Sequence, residues 1–382
     1  MRTAILGAAL FVVGAIAIAT GILPVESALA LGVRVWPILL FVLAITVVTE
    51  LAAEAGLFDL VAQGAARLGL RRTWLLWLFV VVIAAVSTVF LSLDTTAVLL
   101  TPVVVVLARH IGVSPLPFAL TTVWLANTGS LLLPVSNLTN LLATSRSGGM
   151  APVEFAALMA LPATVAIVIP VVILFLVFRR SLVTRYIGDD PVEVPDRLLL
   201  TASAIVVLAL LPLLVSGLPV WMPALAAALV LVVLFAIRRP HALRFGMLPW
   251  QVVVFAAGLF VVVEAAHSLG LGALLQTVSG TGHDLPSLLR LAGTGAVGAN
   301  AVDNLPAYLA LEPVAGDRIR LAALLIGVNA GPLITPWASL ATLLWHERLV
   351  ALDVRFPWKR YMLLGLVVAP LTVAGATAAL YL

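Results

Sequence analysis

Four short stretches of this chain set acids, amides and hydroxyls inside otherwise apolar sequence. Asp94, Thr95 and Thr96 interrupt residues 74–110, and Asp303 and Asn304 interrupt residues 285–315. Asn127, Ser136, Asn137, Thr139 and Asn140 fall within 117–145, and Asn329, Thr335, Ser339 and Thr342 within 319–346. Side chains of these types bind a small polar solute by hydrogen bonding. The two carboxyls add a group suited to carrying a proton, because a carboxyl removed from water binds its proton more tightly.

Of 382 residues, 63% are hydrophobic and 10% charged, and the mean hydropathy is +1.21. Soluble domains run near half apolar and a quarter charged, so the chain reads as an all-α polytopic membrane protein whose surroundings are the lipid bilayer. Its net charge of +4 resides in arginine-rich loops without interleaved aromatics, which sets nucleic acid aside as a partner. Cysteine is absent, which excludes disulfides, thiolate metal sites and cysteine catalysis. No nucleophile–base set or histidine cluster lies in the apolar segments, so an intramembrane enzyme is not expected, nor is a cofactor. In this setting Asp94 and Asp303 are costly to keep, and functional use is the default reading.

Residues 331–342 carry two prolines, a glycine and three hydroxyls. Each proline removes a backbone donor and clashes with the preceding helical turn. Unwound backbone at bilayer depth survives only where it is buried in protein or lines a water-filled cavity. A broken helix is therefore predicted, with half-helix N-termini whose partial positive charge suits anionic groups. The same pattern stands at 127–140, at a constant offset of 202: Asn127 falls on Asn329, Gly129 on Gly331, Pro134 on Pro336, and Asn140 on Thr342. Residues 36–60 recur as 250–274 at an offset of 214, pairing Glu50 with Glu264. These acids lie near segment ends, where ion binding (proton coupling) and gating are both open readings.

The elements follow in order. Spans at 3–22 and 36–55 precede an amphipathic stretch at 57–72 with Arg67, Arg71 and Arg72 at its end. The first stretch reads as a span because its apolar core exceeds that of a signal peptide. Residues 74–110 form a re-entrant hairpin with Asp94 at the tip, followed by the broken helix 117–145 and a span at 152–178. A charged linker at 179–197, holding Asp189, Asp190 and Glu193 among its arginines, leads to a connecting span at 198–216. The pattern then restarts with spans at 219–237 and 250–274, a hairpin at 285–315, a broken helix at 319–346 and a last span at 360–381. Residues 1–178 and 217–382 are thus two repeats joined by 179–216, with nine spans, two hairpins and two broken helices in all.

With the N-terminus in the cytoplasm, only Arg34, Arg146, Arg290, Arg318 and Arg320 of 21 basic residues lie outside, as the positive-inside rule requires. One span joining two four-span halves inverts the second half. Inverted repeats with paired discontinuous helices point to a secondary transporter with its site at the repeat interface.

Residues 331–345, Gly-Pro-Leu-Ile-Thr-Pro-Trp-Ala-Ser-Leu-Ala-Thr-Leu-Leu-Trp, resemble the hallmark of the arsenical pump membrane proteins, the ArsB type of the ion transporter superfamily. Leu93 to Pro102 resembles that family's acidic hairpin motif. Residues 136–140 and 303–306 resemble its other two motifs. The resemblance implies efflux of arsenite or antimonite through the cytoplasmic membrane in exchange for protons, optionally with a partner ATPase, and a homodimer. It departs at Asp303-Asn304, where the family commonly has two asparagines, and that leaves the ion stoichiometry open.

Two other cargoes fit these motifs: sodium exchanged for protons with Asp94 and Asp303 as ligands, or a dicarboxylate or similar small anion. The motifs hold no arginine to grip a carboxylate, which weighs against the anion. Gly293 to Gly298 matches a dinucleotide fingerprint without the strand–helix unit it needs, and reads as a close-packing helix face. Asn137-Leu138-Thr139 is formally a glycosylation triplet inside the broken helix. His267 reads as hydrated at an interface, and His346 and Glu347 as loop residues.

Overall fold

Backbone polar groups in hydrocarbon must bond within their own segment, and the chain answers with helices throughout. The computed structural model describes residues 2–146, 150–186 and 196–382. The linker acids Asp189, Asp190 and Glu193 lie outside the described residues. The first half comprises α1 (Arg2–Ala19), α2 (Val25–Glu54), α3 (Leu57–Leu68), the hairpin arms α4 (Thr73–Leu91) and α5 (Leu93–His110), the half-helices α6 (Leu116–Thr128) and α7 (Leu138–Arg146), and α8 (Pro152–Leu182). After the connecting α9 (Arg197–Leu214), the second half repeats this order. It runs through α10 (Trp221–Arg238), α11 (Trp250–Ser268), α12 (Leu271–Ser279), arms α13 (Leu285–Val302) and α14 (Asn304–Ala315), half-helices α15 (Arg318–Ala330) and α16 (Leu340–Ala351), and α17 (Trp358–Tyr381).

The halves exchange partners as two-fold symmetry requires. α1 packs on α11 while α10 packs on α2, and the last helices α8 and α17 pack on each other. Gly56 and Gly270, opening α3 and α12, share a left-handed conformation at φ 86° and 96°. Both arms of the first hairpin rest on α3, and both arms of the second on α12. Each hairpin therefore leaves on the side it entered.

The inversion follows from connectivity. A short loop joins the base of the first hairpin, at His110, to the start of α6. The broken helix α6–α7 then crosses the molecule to Arg146, which bridges to Glu312 at the base of the second hairpin. Likewise α15–α16 starts beside that base and ends where Arg109 donates to the carbonyls of Leu352 and Asp353, at 2.6 and 3.1 Å. The two hairpins thus open to opposite faces. One face, carrying the first hairpin's base, gathers most of the arginines; the other holds Arg34, Arg146, Arg290, Arg318 and Arg320.

Among the described residues, eight helices have the length and composition to cross a membrane, and these include α4 and α5. At about 1.5 Å per residue each arm is nearly as long as the hydrocarbon core is thick. Length alone therefore counts arms as spans and passes over the broken helices. The broken helices hold the centre: every residue from Pro117 to Thr128, and from Arg320 to Ala330, is buried. The outer helices α1, α9 and α10 turn Val12, Ile16, Ile205, Leu208, Leu229 and Val233 outward, as lipid-facing helices do.

Two local differences from the expected elements have simple causes. α2 begins at Val25 instead of 36, because α1 ends at Ala19 before the turn at Gly21, Pro24 leads directly into α2, and Pro37 is absorbed inside it. His346 is helical, stacked on Trp358 with ring centroids 4.3 Å apart. Outside the spans, Asp196 caps α9 by accepting from Leu198 and Leu199, and Arg238 donates to it at 2.8 Å. The Arg238 guanidinium and the Leu199 amide hold this carboxyl below its ordinary range. The tie between α9 and α10 is therefore complete at neutral pH, and weakens only as the pH falls through the depressed pKa.

The glycine run 293–298 serves packing. Gly298 faces Ala307 across the second hairpin, and Gly295 lies against Leu324 and Val328 of α15. On α15 itself, a Cβ at Gly327 would overlap the Ala292 carbonyl. Gly327→Ala is expected to cost about 1–3 kcal/mol by overpacking, read as a lower thermal midpoint in detergent. Gly64→Ala, where nothing lies within 4 Å, should leave the midpoint in place.

Candidate functional site

Each hairpin tip is a single strained residue. Ser92 stands at φ 119°, ψ 161° between α4 and α5, and Asp303 at φ 136°, ψ 157° between α13 and α14. Such backbone costs of order 1–3 kcal/mol for a residue other than glycine and concentrates at functional sites. Both residues cap the helix that follows: Ser92 Oγ accepts from the Thr95 amide at 3.4 Å, and Asp303 from the Leu305 amide at 3.1 Å. By backbone, then, Ser92 is the counterpart of Asp303, and Asp94 lies two residues farther on. Matching Asp94 to Asp303 by chemistry alone puts the register off.

The two acids consequently differ. Asp303 faces two helix N-termini, since the Leu340 amide at the start of α16 points at the same carboxyl. Helix N-termini favour a negative charge. Among the described residues Asp94 has no hydrogen-bond partner. Their charges act on each other across a shared cavity.

That cavity, of ≈ 320 Å³, lies where both hairpin tips meet both helix breaks. Its polar lining is Thr46, Ser92, Asp94, Asn137, Asp303, Asn304 and Ser339, together with the Trp337 indole. Its apolar wall includes Phe41 and Ile45 of α2 and Phe255 of α11. Among the described residues no arginine, lysine or histidine lines it. Ser339 Oγ is buried and has no hydrogen-bond partner among the described residues. The Asn304 amide donates to the Ala338 carbonyl at 3.0 Å, tying the second tip to the second break.

The remaining motif residues build the frame. Asn329 is a knot between repeats: its Oδ1 accepts from Asn137 Nδ2 (3.0 Å) and Thr139 Oγ1 (2.9 Å), and its Nδ2 donates to Asn140 Oδ1 (2.8 Å). Asn140 in turn donates to the carbonyls of Ser130 and Leu133, fastening the first break. Ser136 donates to the Val89 carbonyl of the first hairpin. Thr96 is held by Ser87 and Thr88, and Thr95 by the Leu91 carbonyl. Thr335 donates to the Asn300 carbonyl, and Thr342 is buried beside the Tyr361 hydroxyl. Among the described residues Asn127, repeat partner of Asn329, donates from its side chain only to Val123 of its own helix. Glu50 and Glu264 do not line the cavity; they lie near opposite faces. The Asn137–Thr139 triplet is buried, as its place in a broken helix requires.

Sequence reasoning passed over three features. Asn300 gathers the second break: its carbonyl accepts from Thr335 and from the Trp337 indole, its Oδ1 from the amides of Ile334 and Thr335, and its Nδ2 donates to Gly331. A lone amide three residues before Asp303 was the available sign. Ser92 opens the same interruption, but its residue type does not show that it, and not Asp94, forms the tip. Glu312, near the end of the second hairpin, is buried and bridged to Arg34 and Arg146 while accepting from Tyr308 at 2.8 Å; nothing in the sequence around it marks that pairing. His267, half-buried, is within hydrogen-bond range of the Leu309 carbonyl, at 3.2 Å.

Known proteins place this arrangement. The citrate transporter family model (CitMHS) matches residues 2–342. The arsenical pump membrane protein of Escherichia coli K12 is 31% identical over 362 residues, covering 87% of this chain and 83% of that one. Its namesake from Yersinia enterocolitica is 30% identical, covering 92% and 88%. The crystal structure of the YdaH transporter of Alcanivorax borkumensis, described as having an unusual topology, superposes with a TM-score of 0.54 at 16% identity, covering 100% of this chain and 97% of that one; it supports the fold alone. The chain is a multi-pass membrane transporter that belongs to the citrate transporter family by its family model and, by its relatives, to the arsenical pump membrane proteins of the ArsB type.

Proposed function

We propose that this transporter exports arsenite or antimonite across the cytoplasmic membrane in exchange for protons. The observation that carries the reading is the cavity's chemistry: two carboxyls, amides and hydroxyls, with no cationic side chain. A tricarboxylate or dicarboxylate would meet like charge there and find nothing to pair with. Arsenous acid near neutral pH is an uncharged trihydroxide, which can donate to a carboxylate and accept from an amide or hydroxyl. The names of the relatives agree with this cargo.

Two different acids suit exchange. Asp303, fixed at two helix starts, is the stationary charge. Asp94, unpartnered, is the group that takes and releases a proton as the solute leaves and enters. The arginine-rich face and the N-terminus are cytoplasmic by the positive-inside rule. Residues 1–178 and 217–382 then form the inverted repeats around 179–216, and a partner ATPase and a homodimer remain family expectations. Expression in arsenite-sensitive cells tests the cargo. Lower cellular arsenic and antimony with growth at otherwise toxic arsenite is expected; unchanged metalloid content with faster citrate movement would replace the cargo.

A further inference from the structure

Each broken helix carries an arginine in its last turn, and the two are repeat equivalents: Arg146 and Arg348 stand at the same offset of 202 that relates Asn127 to Asn329. They are not in equivalent states. On one face Arg146 bridges to Glu312, which is buried and also held by Arg34. Arg34 belongs to α2 and donates as well to the Leu142 carbonyl at 3.2 Å. This cluster fastens α2 to both the second hairpin and the first broken helix. On the arginine-rich face Arg348 lies within electrostatic range of Glu50, also on α2, but forms no ion pair among the described residues.

The cavity is lopsided in the same sense. Its lining on α2 runs from Phe41 to Thr46, between the Arg34 cluster and Glu50, and its lining on α11 is Val252 and Phe255, near that helix's arginine-rich end. Leu141 lines the cavity one residue before the carbonyl that Arg34 grips. The cluster therefore lies at one edge of the cavity, beside Leu141, and the unmade Glu50–Arg348 pair lies beyond its other edge on α2.

Resting on the transporter reading above, we propose that these are two alternating latches at the ends of α2. In the conformation described here, Glu312 closed on Arg34 and Arg146 bars one face. In the reciprocal conformation Glu312 releases and Arg348 closes on Glu50, barring the other. Neither pair is satisfied in both states, so each biases a two-state element by its differential contacts.

The natural chain has no cysteine, so Thr46→Cys reports cleanly on the cavity. A membrane-impermeant maleimide is applied from the arginine-rich face. Glu312→Gln is expected to slow labelling about tenfold, by moving the population to the reciprocal state. Arg34→Gln should act in the same direction and covers the case in which Glu312→Gln folds poorly. Arg348→Gln should leave labelling as fast or faster, and adding it to Glu312→Gln should restore much of the lost rate. Leu70→Cys, on an exposed turn, controls for insertion and reagent access. Unchanged labelling in both Glu312→Gln and Arg34→Gln, with the control intact, would overturn the latches. So would slowing by Arg348→Gln alone. No solute is used, so a wrong cargo would leave this result standing.

Discussion

Replacing Asp94 by Asn is expected to cut arsenite-driven proton movement at least about 100-fold, the scale on which a positioned proton carrier contributes. The substitution keeps size and hydrogen-bonding shape and removes only the titrating group. Asp94 makes no hydrogen bond that the fold depends on, so thermal stability should hold. Asp303→Asn offers the contrast. Asn is as good a helix cap as Asp, so the tip should persist, but the fixed negative charge facing two helix starts is gone. Solute affinity should fall there, with the remaining transport still proton-linked. Solute-dependent proton flux in vesicles, with solute binding measured on the same preparations, separates the two. Full coupling in Asp94→Asn would remove this residue from its role.

Asn329→Leu is the second large effect. It leaves Thr139 Oγ1 without its acceptor and Asn140 Oδ1 without its donor, and leaves Asn137 Nδ2 only a long 3.5 Å contact to Ser130 Oγ, all of them buried. Each buried group stranded in this way costs about 1–3 kcal/mol, so a loss of about 3 kcal/mol or more is expected. Asn127→Leu, at the equivalent place in the first repeat, should be close to neutral. There the side chain bonds only its own helix and Oδ1 is already unpartnered. Thermal unfolding in detergent reads both. Equal losses at the two positions would mean that the knot between repeats does not carry the stability assigned to it.

The breaks were legible because glycine and proline have few other uses in a membrane helix. Gly129 with Pro134, and Gly331 with Pro332 and Pro336, mark them on sight, and the offset of 202 survives in the backbone, with Asn137 and Ser339 both extended before a half-helix. The hairpins were legible as acidic interruptions, but not their register. Chemical likeness paired Asp94 with Asp303, while backbone geometry, which no residue type spells out, pairs Ser92 with Asp303. Of the fourteen polar residues singled out for binding, the cavity takes Asp94, Asn137, Asp303, Asn304 and Ser339. The others serve as frame, since hydroxyls and amides look alike in sequence whether they meet a solute or a neighbouring carbonyl. The Glu312 cluster joins residues 278 positions apart, Arg34 and Glu312, and no periodicity signals such a pair.

The most direct test of the central claim is proton flux in everted vesicles carrying the wild-type chain, with arsenite, antimonite, sodium and citrate added in turn against a preset pH gradient. Dissipation by arsenite and antimonite alone is the predicted result. Dissipation by sodium or citrate alone would contradict the proposed cargo and leave the fold and its cavity as they are.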